Sequence, residues 1–92
     1  MFTVKTFRKD KESKADFYVQ SKGQNAGQPL RDPIANCFEI TVTDTERLLP
    51  DYLYYMVLAA FNAGAFKPYI RGTAVPFLTI EDFKKALIDF YS

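Results

Sequence analysis

Residues 66–78, Phe-Lys-Pro-Tyr-Ile-Arg-Gly-Thr-Ala-Val-Pro-Phe-Leu, gather Lys67, Arg71, Gly72 and Thr73 into one short stretch. Those are the groups that hold a phosphate: Arg through forked charge-assisted bonds, Gly by letting the backbone come close, Thr by donating its hydroxyl. The plainer reading is that Gly72 and Pro76 shape a connector while Val75, Phe77 and Leu78 fill the core. A second cluster, Gln20, Lys22, Gln24, Asn25 and Gln28, puts carboxamides beside Gly23 and Gly27. Gln and Asn pair bidentately with adenine edges, so Gln24 and Asn25 are candidate base readers and Lys22 a candidate phosphate contact. Equally, the stretch fits a polar surface loop. Gly23 and Gly27 lack both the Lys-Ser/Thr ending of a phosphate-binding P-loop and the triple-glycine spacing of a dinucleotide fold.

No constellation for catalysis is present. The chain has no His, which removes the commonest general base and the commonest neutral metal ligand. Its one cysteine, Cys37, can form neither an internal disulfide nor a thiolate metal site, and reads as a small buried hydrophobe. The expectation is therefore a protein that is not an enzyme and holds no metal and no cofactor. The remaining chemistry is aromatic: Tyr52, Tyr54 and Tyr55 can stack on bases, anchor a protein interface or edge the core with wet hydroxyls.

Twelve Lys plus Arg against eleven Asp plus Glu give a formal charge of +1, too little to draw the whole molecule onto nucleic acid or an anionic membrane. The charge is polarised, however. Up to Lys22 six cations face three acids, and between Glu39 and Asp51 four acids face Arg47 alone. Ninety-two residues, 48% of them hydrophobic and 16% aromatic, suit one globular domain, residues 1–92. The first ten residues carry charges where an export leader needs an apolar run, and the longest apolar run, residues 52–61, is about half the ~20 needed to span a bilayer. A cytoplasmic protein with no membrane partner is expected.

The elements that must position these groups follow from periodicity. Residues 2–7 and 17–21 read as strands, and in residues 37–43 Phe38, Ile40 and Val42 share one face while Glu39, Thr41 and Thr43 take the other. Residues 8–16 are a mixed-charge loop, and residues 22–36 an irregular stretch containing Pro29. Pro50 opens a helix with Leu53, Met56, Val57, Ala60 and Phe61 on one stripe. A second helix follows Leu78, capped by Thr79, with Ile80, Phe83, Leu87 and Phe90 on its stripe and Lys84, Lys85 and Asp89 facing water. The fold class is α+β: a small, mostly antiparallel sheet packed by two C-terminal helices.

The run Leu49-Pro-Asp-Tyr-Leu-Tyr-Tyr, followed by Gly72-Thr-Ala-Val-Pro-Phe-Leu and Ile80-Glu-Asp-Phe-Lys, resembles the distal half of a target-recognition domain of type I restriction-modification specificity subunits, over roughly residues 17–88. Pro50, Tyr52 and Leu53 match that family's helix start, and Gly72, Thr73, Pro76 and Leu78 its second motif. These are mainly architectural positions. The resemblance implies an α+β DNA-recognition fold that contacts DNA through loops. The long helices that join two such domains in a specificity subunit have no counterpart here.

Two functions follow as expectations. One is a stand-alone domain that binds duplex DNA weakly, with Lys22, Lys67 and Arg71 on phosphates, Thr73 in support, and Gln24 and Asn25 near base edges. That role requires the Arg71 guanidinium to be held outward, free of an internal ion pair. The alternative is a protein-interaction or self-association module that works through the Tyr52–Tyr55 helix without DNA.

Overall fold

The computed structural model describes all 92 residues. Four strands, β1 (Phe2–Thr6), β2 (Phe17–Gln20), β3 (Pro29–Leu30) and β4 (Cys37–Val42), form one antiparallel sheet in the order β1-β4-β2-β3. Helices α1 (Pro50–Asn62) and α2 (Ile80–Tyr91) pack on it, with a single 3-10 turn, Lys67–Tyr69, between them. The chain is thus a small α+β fold.

β4 lies inside the sheet with Phe38, Ile40 and Val42 buried on one face, while its other face carries the buried Cys37 and the half-buried Glu39 and Thr41. Register carries that face across the sheet, since Ile40 pairs with Val4 on one side and Phe17 on the other. Asp16 secures the β2 end, its Oδ2 accepting the Val42 N–H at 2.7 Å. β3 lies within the stretch expected to be irregular. It is only two residues long and begins with Pro29, which cannot donate to a ladder and is tolerated on an edge strand.

The helices cover the apolar face with Leu53, Val57 and Ala60 from α1 and Phe83, Ala86 and Leu87 from α2. Phe83 is the hub. Its ring stacks on Phe66 at 5.3 Å between centroids and meets Phe38 at 6.1 Å. Fully burying such a side chain stabilises the fold by roughly 1.5–3 kcal/mol. α2 is capped as expected, Thr79 Oγ1 accepting the Asp82 N–H at 3.1 Å. α1 has no side-chain cap, and Pro50 at its first turn removes one N–H that would otherwise need a partner.

Three expectations need correction. Phe90 is exposed rather than part of the α2 stripe, set edge-on against Tyr91 at 4.8 Å, and Ala86 takes the buried place. Met56 and Phe61 are only partly buried, so the α1 stripe is narrower than its spacing implied. Of Val75, Phe77 and Leu78, only Leu78 enters the core.

Candidate functional site

Both loops singled out by their chemistry meet at one place. The Gly23 N–H donates to the Pro76 carbonyl at 2.8 Å, and the Leu78 N–H to the Ser21 carbonyl at 2.8 Å. Arg71 and Phe77 exchange two backbone bonds of 2.9 Å, closing the loop of residues 71–77 on itself. Phe77 is therefore bridged to Lys22 on one side and Arg71 on the other. Gly72 sits at φ +94°, where an added Cβ would stand 2.4 Å from the Val75 carbonyl oxygen, so only glycine makes this turn without strain. Leu78 is buried and Pro76 half-buried.

The six candidate DNA contacts divide into three groups. Gln24, Asn25 and Lys67 line one polar hollow of 340 Å³, together with Asn62 and the apolar side chains of Phe61, Phe66 and Ile70. Lys22 and Arg71 flank Phe77 outside that hollow, and Thr73 is exposed in the turn that follows Gly72. Asn62 was not legible as a site residue, because as the last residue of α1 it reads as a helix stop signal.

Arg71 requires a correction. Its Nε donates to Asp82 Oδ2 at 2.7 Å, and although the Arg71 side chain is 64% exposed, that of Asp82 is only 14% exposed. This hydrogen bond, ahead of simple charge attraction, lowers the Asp82 carboxyl pKa below its ordinary value. The guanidinium thus braces the 71–77 loop against the start of α2 through its Nε, and it is not the cation free of an internal ion pair that the phosphate role requires.

A different surface lies at the opposite ends of the helices. Met1 and Phe2 at the start of β1, Leu48 just before α1, and Leu53 and Met56 on α1 form one wall of an open groove of 540 Å³. Leu87, Ile88 and Tyr91 on α2 form the other, with Lys84 as its one charged side chain. The Tyr91 hydroxyl donates to the Met56 carbonyl at 2.6 Å and ties the last turn of α2 to α1. Burial raises its pKa, with a smaller contribution from the neighbouring Tyr52.

Tyr52, Tyr54 and Tyr55 part company. Tyr54 packs edge-on against Phe17 at 5.3 Å, and the Arg31 guanidinium stacks over its ring at 3.7 Å while pairing with Asp51 at 3.0 Å. Tyr55 lies beside the same guanidinium, at 5.9 Å. Tyr52 is exposed and stands near Tyr91, outside the lining of the groove. The groove had a sequence signal that the core stripe obscured: Lys84, Ile88 and Tyr91 follow at i, i+4 and i+7, a second stripe on α2.

Over residues 4–92 the chain matches the model of a family of unknown function, DUF6943, and it belongs to that family. No curated protein and no solved structure matches it.

Proposed function

We propose that this member of the family is a protein-interaction module that works through the groove between β1, α1 and α2. The observation that carries this reading is the groove itself: eight apolar side chains from separate parts of the chain converge on open surface and leave it unfilled. Exposed contiguous apolar area of this kind marks interaction surfaces in water-soluble folds. The near-neutral total charge and the engagement of Arg71 by Asp82 point the same way.

A photoreactive phenylalanine derivative at position 88 tests it in cells that express the chain. Illumination should give a discrete adduct with another polypeptide or a second copy, and the same derivative at exposed position 9 should not. No adduct, or the same adducts from both positions, refutes the proposal.

One observation favours nucleic acid as a second reading: Gln24, Asn25 and Lys67 line a single hollow, and none of the three side chains makes an intramolecular hydrogen bond or ion pair. This is the DNA-facing role that the chemistry of these side chains suggested, now without Arg71. Duplex DNA titrated at low and moderate salt should bind weakly, and Lys67→Ala should reduce both affinity and salt slope. Binding unchanged by Lys67→Ala removes this reading.

A further inference from the structure

We infer that the occupant of the groove is an amphipathic helix of a different protein, carrying a carboxylate that meets Lys84. This rests on the interaction reading above and names the chemistry of the partner. Three features of the groove carry it.

The first is the extent of the apolar surface. It does not stop at the concave floor: Met1, Ile88 and Tyr91 are 60%, 67% and 44% exposed. A small apolar molecule lying in the hollow would leave those side chains in water. A helix laid across it, with side chains at i, i+3, i+4 and i+7, covers floor and rim together.

Charge is the second. Lys84 is the one charged side chain of the lining, and the fold gives it no partner, because all four ion pairs of the protein use arginines. A cation standing alone beside an apolar groove selects a ligand that is apolar along its length and acidic at one point.

Symmetry is the third, and it argues against a second copy. A two-fold interface presents the same patch from both subunits. With Lys84 its one charged side chain and no acid in the lining, an interface centred on the groove would bring in two Lys84 ammoniums and no carboxylate to meet them. A partner that brings its own carboxylate has no such conflict.

The test uses the full chain and a fluorescently labelled, leucine-rich amphipathic helical peptide with one Glu at the edge of its apolar face, and its Gln and Lys counterparts. Anisotropy at low salt should rank the affinities Glu above Gln above Lys, each step about two- to fivefold, the range of an exposed ion pair. Lys84→Glu should invert the order. Ile88→Asp should abolish binding of all three peptides while the circular dichroism spectrum stays unchanged. Equal affinities, an order that survives Lys84→Glu, or no binding by any peptide overturns the inference. So does a dimer in sedimentation that Ile88→Asp dissolves, because the occupant is then a second copy. An Ile88 photoadduct in the presence of any of these results leaves the interaction reading standing and removes only the acidic helix.

Discussion

Gly27→Ala offers a quantitative check on the packing beneath the polar hollow. Gly27 has φ +101°, and a Cβ built there would lie 2.5 Å from Phe66 Cδ2 and 2.8 Å from its Cγ. Phe66 cannot swing away, because its buried ring is stacked on Phe83 at 5.3 Å with an interplanar angle of 17°. Gly64→Ala supplies the control: φ is +78°, and its nearest new neighbour is Lys67 Cδ at 3.7 Å, an ordinary contact. Both substitutions incur left-handed strain of about 1–2 kcal/mol, partly offset by about 0.4–1 kcal/mol from a less flexible unfolded chain. Gly27→Ala adds overpacking against a fixed aromatic ring, about 1–3 kcal/mol.

The expectation is a loss of about 0.5–1 kcal/mol for Gly64→Ala and about 1.5–4 kcal/mol for Gly27→Ala, against the roughly 5–14 kcal/mol typical of a domain this long. Urea unfolding followed by circular dichroism measures both, with unchanged m values as the condition for comparing midpoints. If the two losses agree within about 0.5 kcal/mol, Phe66 yields to the methyl group. The stacked Phe66–Phe83 pair would then not be rigid.

Thr79→Ala should destabilise the protein by about 1 kcal/mol through loss of the α2 cap, and Thr79→Ser should restore most of it; equal midpoints for all three would refute the capping role. The lowered pKa of Asp82 fixes the sign of a pH effect. Stability from its bond to Arg71 is fully present above the ordinary carboxylate range and is lost as the pH falls through the folded-state value, so Asp82→Asn should flatten the acid limb of the urea midpoint between pH 5 and pH 2. An identical acid limb in the variant would show that the pair adds nothing. Cys37 is buried, with its Sγ directed at the Ile34 carbonyl, and desolvation raises its pKa, so a thiol reagent should react with it far more slowly in the native state than in urea; equal rates would contradict this placement.

The strands and helices that bury one clear face were legible from the residues alone. Phe38, Ile40 and Val42 alternate, and Leu53, Val57 and Ala60 recur at helical spacing, because side-chain period follows backbone geometry directly. β3 was not legible: two residues have no period, and only pairing with Tyr18 and Val19 makes them a strand. The engagement of Arg71 by Asp82 was equally hidden. Eleven residues separate them, and the contact depends on how the 71–77 loop meets α2. Residue type marked Gln24, Asn25 and Lys67 as polar candidates, but their convergence follows from tertiary packing, with Gly27 set against the Phe66 ring, that no local pattern encodes. The groove was overlooked for a different reason. Ile88 stands among Lys84, Lys85 and Asp89, and that company suggests a face turned wholly to water.

The double bridge at Phe77 has a mechanical consequence. Residues 21–23 and 71–78 are stitched to each other through main-chain atoms, so neither loop can be displaced alone. A ligand pressing on Lys22 would shift the amide resonances of both segments in concert, and a substitution in one would be felt as a change of set in the other. The two stretches form a single lever whose fulcrum is one aromatic residue.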